Sequence, residues 1–209
     1  MANPDRPLRL GTRASPLALA QAHMVRDALI VAHGWSHEAV EIMPTVATGD
    51  RVQDRALAEV GGKALWTKEL DAALLSGDID FAVHSMKDVE TERSSKLAIA
   101  AMLPRADVRD RLVGAASFDA LPHGAAFGTS APRRRAQVLR LRPDLRVILL
   151  RGNVQTRLSK LSGGEVDATL LASAGLERLG MHETGTCLPT HVLLPAPAQG
   201  AVGIETLSD

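Results

Sequence analysis

The sequence holds one cysteine and no tyrosine in 209 residues, with only three phenylalanines and two tryptophans. A single thiol, Cys187, excludes an internal disulfide and a cysteine-cluster metal site, and suits a reducing compartment. Aromatic residues make up 2% of the chain, so platforms on which bases could stack are nearly missing. Net charge is missing too: Lys+Arg and Asp+Glu stand at 24 each, and no whole-molecule field draws the chain to nucleic acid or acidic lipid. No apolar run approaches the roughly 18 residues of a membrane span. The opening Met-Ala-Asn-Pro-Asp-Arg-Pro lacks the apolar segment of a leader. These absences predict a cytoplasmic globular protein, a monomer, without metal, nucleic-acid or membrane partner.

What is present reads as alternating strands and helices, in a chain long enough for one large or two small domains. Leu8 to Thr12 is a predicted strand running into Ser15-Pro16, a hydroxyl cap followed by proline at a first helical position. Leu17, Ala20, Met24, Ala28 and Val31 then recur at helical spacing and are expected to face inward. The helix start beside Arg13 and Ser15 combines free N–H groups with a cation, a ready anion site. Val40 to Val46 is a second strand, and 47–62 a candidate mobile loop whose Gly61-Gly62-Lys63 is not a Walker motif. Thr67 to Ser76 is a predicted helix with Leu70, Ala73 and Leu74 inward, and Lys96 to Leu103 a strand. After Pro104 the pattern restarts: a strand to Ser130, a helix from Pro132, a strand at Val147 to Leu150, a helix after Asn153, a strand at Ala168 to Leu171, a helix from Ala174.

Two segments of the first half are echoed in the second. Gly11-Thr12-Arg13-Ala14-Ser15-Pro16 is answered by Gly128-Thr129-Ser130-Ala131-Pro132, and Gly77-Asp78-Ile79-Asp80-Phe81-Ala82-Val83 by Gly164-Glu165-Val166-Asp167-Ala168-Thr169-Leu170. Same order and same kind of strand junction point to an approximate internal duplication. The expected architecture is an α/β protein of two similar lobes with a cleft between them, as in hinge-closing binding proteins. Lobe 1 is 1–103 plus 197–209, and lobe 2 is 104–196, with proline-rich Leu194 to Gly200 crossing back.

The chemistry concentrates at Asp80 to Val89, where a buried strand gives way within a few residues to His84, Ser85, Lys87 and Asp88. Open α/β sheets bind ligands at such carboxyl ends. Asp88 beside Lys87 is the candidate centre, against the bland alternative of a surface pair worth little. His84, ending a buried strand, reads as structural. From Arg133 to Lys160 there are nine basic residues (Arg133, Arg134, Arg135, Arg140, Arg142, Arg146, Arg151, Arg157, Lys160) against one acid, Asp144. Arg140, Arg142 and Arg146 read as a solvated helix face. Arg133, Arg134, Arg151 and Arg157 follow strand-to-helix turns, where dipole and guanidinium act on one anion. Such forks fit carboxylates or phosphates, and a nucleic-acid reading lacks the aromatics and net charge to support it. Cys187 reads as an incidental thiol in a loop.

Several of these stretches are recognisable together. Leu10-Gly-Thr-Arg-Ala-Ser-Pro-Leu-Ala-Leu-Ala-Gln-Ala, Gly61-Gly-Lys, Val83-His-Ser-Met-Lys-Asp-Val, Gly128-Thr-Ser, Arg133-Arg, Leu150-Arg-Gly-Asn-Val-Gln-Thr-Arg-Leu and Ala198-Gln-Gly-Ala-Val-Gly-Ile-Glu run in order through the chain. They resemble the porphobilinogen deaminases, or hydroxymethylbilane synthases. The resemblance implies two lobes resembling type II periplasmic binding proteins, and a transferase of tetrapyrrole (haem) biosynthesis that joins four porphobilinogens head to tail with loss of ammonia. It implies a covalent dipyrromethane cofactor, and Asp88, with Lys87, as the catalytic group stabilising positive charge on a pyrrole. By the same resemblance Arg13, Ser15, Lys63, Ser85, Thr129, Ser130, Arg133, Arg134, Arg151, Asn153, Arg157, Arg178, Gln199 and Gly200 would hold cofactor and substrate, Lys63 from the loop.

Three departures stand out. Ala131 and Pro132 replace a serine and leucine common in the family, and Glu90 replaces a usual proline. No counterpart of the family's third domain, which bears the cofactor-anchoring cysteine, follows Glu205, and Cys187 lies too early to replace it. The expectation is a fragment or shortened member with little activity alone; the alternative is a non-catalytic bilobal binder of a small polyanion.

Overall fold

The computed structural model describes residues 3–47 and 65–208. In chain order its elements are β1 (Leu8–Arg13), α1 (Pro16–His33), β2 (Val40–Thr45), α2 (Lys68–Leu75), β3 (Phe81–Ser85), β4 (Leu97–Met102) and β5 (Asp110–Val113). Then come β6 (Ala126–Gly128), α3 (Pro132–Leu141), β7 (Arg146–Ile148), α4 (Val154–Ser162), β8 (Ala168–Ala172), α5 (Ser173–Arg178), β9 (Thr186–Cys187) and β10 (Val202–Leu207). The described residues form two compact units, the first made of 3–47, 65–105 and 201–208, the second of 106–200.

Each unit is built on a five-stranded mixed sheet, ordered β2-β1-β3-β10-β4 in the first and β7-β6-β8-β5-β9 in the second. In the first, β1 is parallel to β2 and β3, while β10 runs antiparallel between β3 and β4. In the second, β6 is parallel to β7 and β8, while β5 runs antiparallel between β8 and β9. The run β1-α1-β2-α2-β3 is thus repeated as β6-α3-β7-α4-β8.

The echoed sequences occupy equivalent places down to single bonds. The Asp80 N–H donates to Arg9 O at 2.8 Å, and its carboxylate accepts from Arg9 N at 2.7 Å. Asp167 does the same with Ala126, at 2.8 Å and 2.6 Å. Gly11 and Gly128 are small for one reason: a Cβ would stand 2.3 Å from Ile79 Cδ1 in the first case and 2.6 Å from Leu150 Cδ2 in the second. A side chain at either place would push into a buried leucine or isoleucine packed against the strand.

In the first unit, Leu10, Ala22, Val25, Val40, Phe81, Val83 and Val202 pack on the α1 face of the sheet. Leu70, Leu74, Ile79, Ala82 and Leu97 pack on the α2 face. Because successive residues of a strand alternate, Phe81 and Val83 serve one layer and Ala82 the other, and β3 is buried on both faces until Ser85. The α2 expectation agrees with Leu70 and Leu74. The inward face of α1 does not: it is Ala18, Gln21, Ala22 and Val25, whereas Met24 is 40% and Val31 84% exposed. Gln21, a polar residue outside the expected apolar face, is buried because its amide exchanges hydrogen bonds with Ser85 Oγ at 2.8 and 3.0 Å. That buried pairing rotates the face by about one residue.

The second unit has a core of Leu112, Phe118, Leu121, Phe127, Val138, Leu170, Leu188 and Leu193 on one side of its sheet. Val113, Leu171 and Leu176 lie on the other, beside α4. Two of its strands, β5 and β9, had no sequence signal, since β5 is charged at Asp110 and Arg111 and β9 is a two-residue strand. Arg142 is not on a solvated face: its guanidinium holds Asp144 at 2.7 and 2.8 Å and the Leu121 carbonyl at 3.2 Å. It closes the loop between Phe118 and Pro122.

Candidate functional site

In the first unit the polar string after β3 folds into a 3-10 turn, Met86–Asp88. The turn is fixed by Met86 N–H donating to Ala201 O at 3.1 Å and Val89 N–H to Met86 O at 3.3 Å. Gly203 on β10 makes room for it, because a Cβ there would lie 2.1 Å from Met86 Sδ. The Asp88 carboxylate is left partly open, with its side chain 32% exposed, and Arg13 Nη1 lies 3.7 Å away at the end of β1. The Arg13 guanidinium in turn sits 4.1 Å over the Trp66 ring, a cation–π contact that restricts its position. With the Arg13 cation at one side, the partly open carboxylate still offers an oxygen to a ligand. Ser15 caps α1, its Oγ accepting from Ala18 N at 3.4 Å, and Lys87 is exposed on the turn beside Asp88.

Behind the turn lies a charged network. Glu205 on β10 is fully buried and accepts from Arg93 Nε at 2.8 Å and Nη2 at 2.7 Å, with His84 Nε2 at 3.0 Å. Arg93 also binds Asp71 at 2.6 Å and Glu90 at 2.8 Å. Burial alone would raise the Glu205 carboxyl, but the bonds from His84 and Arg93 outweigh it and hold its pKa below the usual value. The structural reading of His84 agrees with this place.

The second unit presents cations at the strand ends. Arg133 and Arg134, in the first turn of α3, both reach Asp110 on β5: Arg133 Nη2 at 2.9 Å, Arg134 Nη2 at 2.7 Å. Arg133 also donates to Leu194 O, and Arg134 is only 6% exposed. Burial pushes the Asp110 carboxyl up, yet Arg134 and then Arg133 outweigh it and hold it below its ordinary range. Gln199 Nε2 completes the cage, donating to Asp110 Oδ1 at 2.9 Å and to Val108 O at 2.7 Å. Gly200 follows with φ +87°, where a Cβ would meet Ala106 O at 2.6 Å, and its own carbonyl accepts from Arg178 Nη2 at 2.7 Å. Burial lowers the Arg178 pKa from its usual value, and its Nε is buried without a hydrogen-bond partner among the described residues.

Thr129 is buried just after β6, its Oγ1 accepting from Ala131 N at 3.2 Å, and Ser130 beside it is partly exposed. Arg151 is 5% exposed in the turn before α4, and Arg157 donates from Nε to Gly152 O at 2.9 Å. Asn153 caps α4, accepting from Thr156 N at 2.9 Å.

The structure thus brings Asp88, Lys87, Arg13, Ser15 and Ser85 together at the strand ends of the first unit. In the second it gathers Arg133, Arg134, Gln199, Arg178 and Gly200 around β5, and Arg151, Asn153 and Arg157 at the start of α4. Lys63 and positions 48–62 of the expected loop lie outside the described residues. Sequence reasoning missed Trp66, Arg93, Asp110 and Glu205. Among these only Glu205 carried a signal, as the acid ending Gly203-Ile204-Glu205 in an apolar strand. Among the described residues no group of His, Cys, Asp and Glu could hold a metal ion, and no helix is long and apolar enough to cross a membrane.

Residues 8–209 match the family model described as porphobilinogen deaminase, dipyromethane cofactor binding domain. The porphobilinogen deaminase of Sphingopyxis alaskensis is 66% identical, the match covering 100% of this chain and 68% of that protein. That of Paracoccus denitrificans is 52% identical, with the same coverages of 100% and 68%. That of Nitrobacter winogradskyi is 55% identical over 96% of this chain and 64% of its own length. The chain therefore spans about two thirds of these relatives. Among solved structures, an ancestral cationic amino acid solute-binding protein superposes with a TM-score of 0.55 at 16% identity, covering 97% of this chain and 82% of that one. A periplasmic substrate-binding protein of an ABC transporter from Coxiella burnetii gives 0.55 at 14% identity, covering 97% and 85%. At such identities the likeness concerns the fold, that of the type II periplasmic binding proteins.

Proposed function

The chain belongs to the porphobilinogen deaminase family, and from that premise we propose that its first unit supplies the acid, and its second unit cations, for building hydroxymethylbilane from porphobilinogen in tetrapyrrole biosynthesis. The observation that carries the reading is the Asp88 carboxylate, partly open at the end of a buried strand and steadied by Arg13 at 3.7 Å.

The substrate chemistry explains the residue types. Porphobilinogen bears an acetate and a propionate, so each added pyrrole brings two negative charges that guanidinium forks accept in two-point fashion. As the aminomethyl C–N bond breaks, the electron pair leaves with ammonia and positive charge spreads over the pyrrole nitrogen. Asp88, accepting from that pyrrole N–H, stabilises the charge as it forms, an effect largest where water is excluded. Lys87 and Arg13 hold the ring carboxylates, and Arg13 steadies the Asp88 side chain. Ser15, Ser85, Thr129 and Ser130 add hydroxyl donors; Arg133, Arg151, Arg157 and Arg178 add cations. Arg134 and Gln199 bond the Asp110 carboxylate that also holds Arg133, and the Gly200 carbonyl holds Arg178.

The donor set also suits dipyrromethane. A carboxylate would satisfy the buried Arg178 Nε, which lacks a hydrogen-bond partner among the described residues. The Asn153 cap stands at the start of α4, between Arg151 and Arg157 in the chain. When bound, dipyrromethane supplies the pyrrole carbon from which the chain grows; Arg13, Ser15, Arg151, Arg157 and Arg178 would hold its side chains, and Lys63 is assigned to it by family resemblance. Cys187, partly buried in β9, is not given the anchoring role. The balanced charge leaves no overall field to draw nucleic acid or an acidic membrane, in keeping with the expectation of a cytoplasmic monomer.

The test uses the protein at the full length of its relatives. Incubated with porphobilinogen, it releases ammonia and forms hydroxymethylbilane, and the 209-residue stretch alone does so far more slowly. Binding of porphobilinogen with no ammonia released by the longer protein would make it a binder of small polyanions instead.

A further inference from the structure

Thr67 stands at the N-cap of α2, where a threonine hydroxyl ordinarily accepts a backbone N–H of the first turn. It makes no such bond. Its Oγ1 instead donates to Glu90 Oε2 at 3.0 Å and accepts from Arg93 Nη1 at 3.3 Å, while Arg93 Nη1 donates to Glu90 Oε2 at 2.8 Å. Thr67 is 1% exposed, so this three-way clasp is built into the interior of the first unit. A helix cap has been given up for it, the kind of local rule broken where something else is being held.

What the clasp joins is informative. Thr67 follows Trp66, whose ring carries the Arg13 guanidinium at 4.1 Å. Arg13 reaches Asp88 at 3.7 Å. Glu90 lies two residues beyond Asp88 in the chain. The path Asp88, Arg13, Trp66, Thr67, Glu90 and back to Asp88 is a closed ring, and its only link through a side-chain carboxylate other than Asp88 is Glu90. Arg93 fastens the ring from behind, its guanidinium held by buried Glu205 at 2.7 Å and by Asp71 at 2.6 Å.

We propose that Glu90, through Thr67 and Arg93, is a positioning residue that fixes the Trp66–Arg13 pair and the Asp88 turn relative to each other. The inference rests on the reading of Asp88 as the charge-stabilising carboxylate. Glu90 touches no substrate. It sets where the Asp88 oxygen stands as charge develops, and displacements of an ångström at such a group are felt in the chemical step more than in binding.

The experiment compares variants of the relatives-length protein in steady-state turnover of porphobilinogen, with melting temperature measured on each. Glu90→Ala is expected to lower kcat about 10-fold and leave KM within about twofold. Glu90→Gln, which keeps an acceptor oxygen, recovers part of the loss. Thr67→Val should behave as Glu90→Ala does, and Thr67→Ser as the parent. If Glu90 acts through the ring, adding Trp66→Phe to Glu90→Ala costs less than the product of the two single effects. Melting temperatures that fall while kcat per folded molecule stays at the parent value would overturn the proposal and leave Glu90 a stability residue. Independent, multiplying losses in the Trp66 pair would overturn it too, and Thr67→Val decides the matter should Glu90→Ala not fold. Asp88→Asn is run alongside: if it abolishes turnover while Glu90→Ala does nothing, the ring is wrong and the role of Asp88 stands. Should Asp88→Asn turn over normally, the role of Asp88 fails first.

Discussion

The two units solve one problem alike and another differently. In each sheet the antiparallel strand flanked by a parallel strand and an edge strand carries a fully buried acid, Glu205 on β10 and Asp110 on β5. In each, arginine answers it: Arg93 in the first unit, Arg133 and Arg134 in the second. The units part company at the carboxyl end of the matching parallel strands. Where β3 runs out into Met86-Lys87-Asp88, β8 runs out into Ser173-Ala174-Gly175 at the start of α5. Asp88 thus has glycine as its counterpart. One copy of a duplicated fold has kept the acid at its mouth, and the other has kept cations. The two buried acids are held by arginines inside their sheets; the partly exposed Asp88 is the acid proposed for the chemistry.

That comparison can be broken most forcefully at the buried acids. Asp110→Asn leaves two arginine forks facing a neutral amide, one of them nearly buried, and is expected to destabilise by about 3–5 kcal/mol. Glu205→Gln should cost less, about 1–3 kcal/mol, because Arg93 keeps Asp71 and Glu90. Urea unfolding of both variants checks the order; a reversed order would mean that the two cages are not built alike.

Much of this architecture was legible in the sequence, and the failures have physical causes. The duplication was legible because the same short strings, glycine before an acid-flanked strand and Gly-Thr before a helix, meet the same steric demand twice. Asp88 was legible as a polar break in an apolar strand. Asp110 was not, because it stands in a charged stretch with Asp107, Arg109 and Arg111, and the residues that bury it are distant in sequence. Arg142 misled for the same reason. The phase of α1 failed on Gln21, a polar residue made inward by Ser85, which no count of apolar positions can reveal. Trp66 was invisible as a partner, since a cation–π contact to Arg13 leaves no periodic trace.

Next in size is a response to acid. The pKa values of Asp110 and Glu205 are both lowered in the folded state, so each contributes stability that is complete above the unfolded carboxylate value and lost as pH falls through the folded one. Stability should be flat with respect to these groups near neutrality and decline below about pH 4. Asp110→Asn and Glu205→Gln should each flatten that decline, which melting curves from pH 7 downward would record. An unchanged acid limb in both variants would remove these two acids from the account.

The smallest effects lie in the helix caps. Asn153 caps α4 at 2.9 Å, whereas Ser15 caps α1 at 3.4 Å and Ala131 offers α3 no side-chain cap at all. Asn153→Ala should cost about 1 kcal/mol, Ser15→Ala about half that, and Ala131→Ser should gain about 0.5 kcal/mol. Denaturant midpoints would rank the three.

The division of labour between the units is tested most directly by kinetics on the relatives-length protein with porphobilinogen, comparing Asp88→Asn in the first unit with Arg157→Gln in the second. The account predicts that Asp88→Asn lowers kcat by about 10²–10³ with little change in KM, as for loss of a group that acts on developing charge. Arg157→Gln raises KM far more than it lowers kcat. An Asp88→Asn protein that turns over at the parent rate would contradict the account.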